Sequence, residues 1–288
     1  MRERLRQLAG PRGRRLARRW RLRGGAGPNR RPPTRPSDWQ IGPPDFVGVG
    51  AQRAGTTWWY RLLCDHPRVE RSPKELHFFD PFFARELTDA DVLGYHRLFP
   101  RPPGSLIGEW TPRYMHDFWT PALLRRAAPD ARILMLLRDP LARYRSGVSK
   151  ETQTLVDRGV RRGRREYVAA MNASDALSRS LYARQLANVL EQFDRAQVLV
   201  LQFERCVEDP VGQLQRTYRF LDLAPADHLP PGLTERRGRR PPQIEPTDAV
   251  TGAARRAVLR DVTELTELVA DLDLSLWPSC RGLAGSGS

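Results

Sequence analysis

The sequence predicts an α/β fold in which helices flank a doubly wound, mostly parallel sheet. Two observations lead to this prediction: short apolar runs alternate with helically periodic segments, and a P-loop-like glycine loop follows the first run. The 288 residues, 40% of them hydrophobic, are enough to bury one substantial core. We therefore expect one folded domain.

Each element has its own signal along the chain. Short β-rich apolar runs predict four strands, at Asp45–Gly50, Leu106–Glu109, Arg132–Leu137 and Gln197–Phe203. Helical periodicity predicts five helices, at Thr56–Cys64, Thr120–Ala128, Ser180–Phe193, Pro210–Leu221 and Thr247–Leu272. Ligands of such sheets bind beyond the carboxyl ends of the strands, so polar residues there are the first candidates for function.

Charge separates the N-terminus from the rest of the chain. Residues 1–36 carry a net charge of +12, which leaves only +3 of the whole-chain +15 for residues 37–288. We predict a disordered basic tail at 1–40, a folded domain at 41–282 and a flexible C-terminus at 283–288. The tail predicts weak contact with an anionic membrane surface and no specific binding of nucleic acid, and the sequence leaves the oligomeric state open.

The chain contains no apolar run long enough to cross a bilayer and no apolar segment of a secretory signal. A cytoplasmic protein is therefore expected. Its three cysteines, Cys64, Cys206 and Cys280, lack metal-ligand spacing, so neither a disulfide nor a metal site is predicted.

The loop that follows the first predicted strand favours binding of a phosphate or sulfate group. Gly50 and Gly55 fit the G-x-x-x-x-G frame of a P-loop, but Thr56 stands where a P-loop NTPase has its lysine, and the cation is Arg53 inside the loop. This displacement argues against ATP hydrolysis. The alternative is an ordinary strand-to-helix turn with Thr56 as the N-cap.

A second cluster follows the predicted strand Arg132–Leu137. Arg138 stands at the strand end and Ser146 eight residues later, a pair that can hold a second phosphate. The alternative makes Asp139 a helix cap, with Pro140 in the first turn and the arginines in solvent.

Together the two clusters resemble the sulfotransferase family, which transfers a sulfuryl group from 3′-phosphoadenosine 5′-phosphosulfate (PAPS). Further matches are similar to the heparan sulfate 3-O- and N-sulfotransferase-like branch and indicate a bacterial member. They lie between Phe46 and Trp277, at Lys74–Asp80, Glu109–Pro112, Ser180–Ala183 and Arg237–Gln243.

The resemblance implies a donor site, with PAPS as co-substrate and no metal. It places the 5′-phosphosulfate on Gln52, Arg53, Ala54, Gly55, Thr56 and Thr57, the 3′-phosphate on Arg138 and Ser146, the adenine on Trp58, and a closing basic loop at Arg237, Gly238 and Arg239. Core packing is the alternative for Trp58, and a solvated connector is the alternative for the loop.

For catalysis the resemblance implies Glu75 as the general base, while Arg53 stabilises charge on the departing phosphate. His77 either orients Glu75 or is itself the base. An exposed ion pair with Lys74 is the alternative for Glu75. Two positions depart from the family pattern, because Arg53 and Trp110 each stand where relatives carry a lysine.

We therefore expect a PAPS-dependent sulfotransferase that acts on a hydroxyl, or an amine, of a carbohydrate-like or lipid-linked acceptor. The alternatives are a P-loop nucleotide kinase or NTPase and a non-catalytic module that binds the nucleotide.

Overall fold

The computed structural model describes residues 31–157, 159, 173–225, 229–234, 248–281 and 283. Seven strands occur there: β1 (Gln40–Ile41), β2 (Phe46–Gly50), β3 (Val69–Glu70), β4 (Pro100–Arg101), β5 (Leu106–Trp110), β6 (Arg132–Leu137) and β7 (Val198–Gln202). The helices with full bounds are α1 (Thr56–Cys64), α2 (Asp89–His96), α3 (Thr120–Ala127), α4 (Pro140–Asp157), α5 (Ala183–Leu190), α6 (Phe203–Glu208), α7 (Pro210–Phe220) and α8 (Asp248–Leu268). Residues 173–178 are also helical.

Five strands form one parallel sheet in the order β3-β5-β2-β6-β7. The predicted α/β class is therefore confirmed. Every residue of β2 and β7 is buried, as expected for parallel strands whose two faces are both covered. β1 and β4 pair antiparallel in a separate two-stranded sheet.

The order of strands creates a switch point at the centre of the sheet. From β2 the chain first builds β3 and β5 on one side, and then crosses to β6 and β7 on the other side. The loops that leave β2 and β6 therefore diverge from neighbouring strand ends, which is where open α/β sheets bind ligands.

The predicted helix Thr56–Cys64 and the predicted strand Arg132–Leu137 have the bounds that the structure shows, and the other predicted strands and helices differ at their ends. Six of the labelled elements were not predicted: the short strands β1, β3 and β4 and the helices α2, α4 and α6. None of the described helices has the length and apolar character needed to span a bilayer.

Trp110 at the end of β5 packs tightly on β2. Its side chain is fully buried, and its indole Nε1 donates a hydrogen bond of 3.1 Å to the carbonyl of Gly50. A Cβ atom on Gly48 would lie 2.0 Å from the indole, so only glycine fits at this position. The Trp110 side chain is thus part of the core and supports the strand end from which the glycine loop begins.

We predict that Gly48→Ala lowers the free energy of unfolding by about 1–3 kcal/mol, because the added methyl overpacks the Trp110 contact. Urea denaturation measures the change. Gly94→Ala in α2 is the matched control, because a Cβ there meets nothing within 4 Å. That control should gain about 0.5–1 kcal/mol from better helix propensity. Equal stabilities of Gly48→Ala and the wild type would contradict this packing.

Candidate active site

The loop after β2 ends in a left-handed turn that starts α1. Gly55 is the N-cap residue, with φ of 86° and no side-chain capping bond, so the alternative of Thr56 as N-cap is wrong. A Cβ on Gly55 would lie 2.6 Å from the ring of Phe203, a second reason for glycine. The first N–H groups of a helix lack intrahelical acceptors and lie at its positive end, so Thr56 and Thr57 begin α1 where an anion binds well.

A hydrogen bond links the two clusters that the sequence singled out. Arg53 Nε donates to Ser146 Oγ at 3.1 Å, across 93 residues of sequence. Arg138 Nη1 donates to the carbonyl of Arg53 at 3.2 Å. The structure therefore brings Arg53, Arg138 and Ser146 into one site between the ends of β2 and β6.

Arg143 anchors this site from inside the protein. Its side chain is almost fully buried, and it donates to the Gln52 carbonyl at 2.9 Å, to Ser180 Oγ at 3.1 Å and to the Ala176 carbonyl. Burial lowers the pKa of Arg143 to about 10, so it remains a cation at neutral pH. The alternative that places the arginines of this cluster in solvent is therefore wrong for Arg143.

Arg179 is a second arginine that sequence reasoning missed. It donates to Gln52 Oε1 and forms an ion pair of 2.6 Å with Asp175. Gln52 is thus held from both its carbonyl and its side chain. The signal in the sequence was weak, because Arg179 immediately precedes the Ser180–Ala183 match but belongs to no phosphate-binding motif.

Asp139 caps the helix that carries Ser146, as the alternative for this cluster proposed. Its Oδ1 accepts from the Ala142 N–H at 2.9 Å, and its Oδ2 accepts from the Ser279 N–H at 2.9 Å. Tyr182 donates its hydroxyl to the Arg138 carbonyl at 3.0 Å. Capping and phosphate binding are compatible here, because the cap fixes α4 while Arg138 and Ser146 face the loop.

A solvent-open cleft lies beside Gln52, between α4 and the segment 173–179. Four of its side chains are cationic and one is anionic, which favours an anionic ligand. Its lining residues are Gln52, Arg53, Arg143, Gly147, Lys150, Asp175, Ala176 and Arg179.

Trp58 lies at the start of α1 and contacts the segment 229–234. Its Nε1 donates to the Gly232 carbonyl at 3.3 Å, and its ring lies edge-on to Phe203, with 6.3 Å between centroids. Trp59 is fully buried and donates to Thr217 Oγ1 at 3.3 Å. The predicted closing residues Arg237, Gly238 and Arg239 lie outside the described residues.

Glu75 lies at the carboxyl end of β5, because its N–H donates to the Trp110 carbonyl at 3.1 Å. Both Glu75 and His77 have positive φ, of 62° and 52°. Such strained backbone in non-glycine residues persists where the surroundings enforce it, and it concentrates at functional sites. This conformation sets the two side chains beside each other at the edge of the sheet.

An ionic chain runs from Lys74 through Glu75 and His77 to Asp80. Lys74 Nζ lies 2.7 Å from Glu75 Oε1, His77 Nε2 lies 3.9 Å from Glu75 Oε2, and His77 Nδ1 lies 3.1 Å from Asp80 Oδ2. His77 and then Lys74 lower the pKa of Glu75 to about 2. Asp80 and then Glu75 raise the pKa of His77 to about 9. At neutral pH the chain therefore holds an ionised Glu75 beside a protonated His77.

Glu109 lies in the core of the protein, where hydrogen bonds hold its carboxylate. It is fully buried, and its two oxygens accept from the Tyr95 hydroxyl at 2.7 Å and from Thr111 Oγ1 at 2.6 Å. Burial raises the pKa of this carboxyl. Glu75, which is about half exposed, is thus the more accessible of the two carboxylates. Among the described residues no group of three or more His, Cys, Asp or Glu side chains is arranged to hold a metal ion.

Comparison with known proteins identifies the class. The sulfotransferase domain family matches residues 43–229. The crystal structure of a sulfotransferase from Alicyclobacillus acidocaldarius superposes with a TM-score of 0.62 and 27% identity, and covers 82% of this chain and 99% of that one. A sulfotransferase from Mycobacterium avium, at 13% identity and a TM-score of 0.51, shares the fold. The chain therefore belongs to the sulfotransferase domain family.

Among curated relatives, the chain is similar to heparan sulfate glucosamine 3-O-sulfotransferases. It is 30% identical over 188 residues to form 3B1 of Mus musculus, which covers 62% of this chain and 46% of that protein. It is 31% identical over 185 residues to form 6 of Mus musculus, which covers 62% and 52%. The chain thus spans about half the length of the curated relatives it matches, and the predicted resemblance to this branch is confirmed.

We predict that Asp80→Asn lowers the pKa of His77 from about 9 toward its ordinary value of 6.5, because the largest source of the increase is removed. A histidine ¹³C NMR titration measures it. Since folding raises this pKa, the contribution of the ion pair to stability is complete below pH 6.5 and is lost as the pH rises through about 9.

Asp271→Asn, which breaks an ion pair with Arg216 elsewhere on the surface, is the matched control and should leave His77 unchanged. A wild-type His77 that titrates near 6.5 would contradict the proposed ionic chain.

Proposed function

We propose that the protein transfers a sulfuryl group from PAPS to a hydroxyl, or less readily an amine, of a carbohydrate-like or lipid-linked acceptor. The observation that carries this proposal is the Arg53–Ser146 hydrogen bond, which joins the two predicted anion sites at the switch point of the sheet. PAPS has two separate anionic ends, the 5′-phosphosulfate and the 3′-phosphate, whereas ATP has no 3′-phosphate. Two linked cationic sites therefore suit PAPS better than ATP.

At the donor end, the N-terminus of α1 and Arg53 would hold the 5′-phosphosulfate, and Arg138 with Ser146 would hold the 3′-phosphate. Arg143 supports this assignment because it fixes the Gln52 carbonyl from a buried position. Arg53 can bond two oxygens with its planar guanidinium, so it supplies the charge that relatives take from lysine.

At the acceptor end, Glu75 accepts the proton of the acceptor hydroxyl while the hydroxyl oxygen bonds to sulfur. The bond between sulfur and the 5′-phosphate oxygen breaks at the same time. The nucleotide leaves with the electron pair of that bond. Arg53 and the end of α1 stabilise the charge that then develops on phosphate. The bond that breaks joins the sulfuryl group to a single phosphate. The reaction therefore has no β- and γ-phosphate pair that a magnesium ion would have to bridge.

The ionic chain supports Glu75 as the base and His77 as its partner. Because the pKa of His77 is about 9, this imidazole is already protonated at neutral pH and cannot accept the proton of the acceptor. Glu75 is ionised, but its pKa of about 2 makes it a weak base in the free protein. We therefore expect proton transfer late in the reaction, when attack on sulfur has made the hydroxyl acidic.

The curated relatives support a sugar acceptor. Their names specify 3-O-sulfation of the glucosamine of heparan sulfate. A carbohydrate hydroxyl is therefore the acceptor we propose first. The kinase or NTPase alternative lacks support at Thr56, where a P-loop enzyme has its lysine.

We predict that the protein binds 3′,5′-adenosine bisphosphate without magnesium, and that Arg138→Ala weakens this binding at least about tenfold through loss of a charged hydrogen bond. Isothermal titration calorimetry measures both affinities. Arg216→Ala, which removes a surface arginine paired with Asp271, should bind as the wild type does. A preference for Mg-ATP over the bisphosphate would refute the proposed donor.

We predict that Glu75→Gln keeps its affinity for 3′,5′-adenosine bisphosphate but loses at least about a hundredfold in turnover, because the amide cannot accept a proton. Consumption of PAPS with a panel of sugar acceptors measures turnover. The exposed Glu86→Gln is the control, and its turnover should match that of the wild type. If Glu75→Gln retains wild-type turnover, Glu75 is not the base.

A further inference from the structure

The peptide that joins Arg138 to Asp139 is held by side chains on both of its polar groups. Its carbonyl accepts a hydrogen bond of 3.0 Å from the Tyr182 hydroxyl, and its N–H donates one of 3.1 Å to Glu204 Oε1. This peptide lies between the end of β6 and Pro140, the first residue of α4. Two side-chain hydrogen bonds therefore fix the plane of the peptide at the point where the chain leaves the sheet.

Tyr182 is itself held in one place by the interior of the protein. Its side chain is fully buried, its N–H donates to Asp261 Oδ2 at 2.5 Å, and the N–H of Ala183 donates to Asp261 Oδ1 at 3.1 Å. The Tyr182 ring packs against the buried Trp277, with 6.3 Å between centroids. Trp277 Nε1 in turn donates to Glu204 Oε2 at 2.8 Å. The hydroxyl and the carboxylate that bind the peptide therefore belong to one packed unit.

The orientation of this peptide determines where the Arg138 side chain begins, because the peptide is planar and its rotation turns the Cα–Cβ bond. The guanidinium lies at the junction of the two proposed anion sites. Its Nη1 donates to the Arg53 carbonyl at 3.2 Å, and its Cζ lies 5.4 Å from the centroid of the Phe203 ring. A planar guanidinium binds an oxyanion well only in the right orientation, and a long side chain amplifies a small rotation at its base.

We infer that Tyr182 is a positioning residue for Arg138, and that its hydroxyl sets the affinity of the site for the 3′-phosphate of the donor nucleotide. This inference rests on the proposed function and deepens it. Because Tyr182 is fully buried, it acts on the nucleotide through Arg138 and not by contact. A phenylalanine would keep the packed ring and remove only the hydrogen bond to the Arg138 carbonyl.

The test compares two nucleotides that differ only in the 3′-phosphate, 3′,5′-adenosine bisphosphate and adenosine 5′-monophosphate. Isothermal titration calorimetry is run on the full chain without magnesium. We expect Tyr182→Phe to bind the bisphosphate about fivefold more weakly than the wild type, through loss of one hydrogen bond, and to bind the monophosphate equally well. A residue with only a structural role would weaken the binding of both nucleotides alike. In the Arg138→Ala background, Tyr182→Phe should cause no further loss, because the two residues act through one contact.

Tyr218→Phe is the matched control, because Tyr218 is also buried and its hydroxyl donates to a backbone carbonyl, that of Leu62 at 3.4 Å. It should bind both nucleotides as the wild type does. Asp261→Asn, which weakens the bonds to the N–H groups of Tyr182 and Ala183, carries the same test if Tyr182→Phe does not fold.

An unchanged preference for the bisphosphate in Tyr182→Phe, or an equal loss of affinity for both nucleotides, would overturn the inference. A further loss in the Arg138→Ala background would do the same, since Tyr182 would then act on the nucleotide by another route. Failure of the proposed function is distinguishable, because it would appear in the wild type as a bisphosphate that binds no more tightly than the monophosphate.

Discussion

The hydrogen bond from Arg53 to Ser146 is the contact on which the proposed donor site depends. It joins the loop after β2 to the helix after β6, and Arg138 closes the same junction by donating to the Arg53 carbonyl. The sheet topology makes this contact possible. β2 and β6 are neighbouring parallel strands, and the segments that follow them diverge at the switch point. Residues far apart in sequence thus form one cationic site.

Two charge arrangements of different kinds meet at this edge of the sheet. The proposed donor side is cationic and partly buried, with Arg143 anchoring the loop from the interior. The proposed acceptor side is a chain of alternating charges in which Glu75 lies between Lys74 and His77. An excess of positive charge suits a donor with two anionic ends, whereas the balanced chain keeps one carboxylate ionised and oriented without repelling the donor.

Much of the fold and part of the site could be predicted from sequence, for physical reasons. Strands such as Arg132–Leu137 are continuous apolar runs, and the helix Thr56–Cys64 follows an unambiguous glycine loop. The helix α4 was missed because it is polar and its start at Asp139 was read only as an alternative. The burial of Arg143 was not predictable, since its carbonyl and hydroxyl acceptors at Gln52, Ala176 and Ser180 are brought to it only by the tertiary fold.

A crystal structure of the protein with 3′,5′-adenosine bisphosphate tests the central claim most directly. The account predicts that the 5′-phosphate lies at the N-terminus of α1 beside Arg53, and that the 3′-phosphate lies within hydrogen-bonding distance of Arg138 and Ser146. A nucleotide bound elsewhere, or a 3′-phosphate that contacts neither Arg138 nor Ser146, would contradict the account.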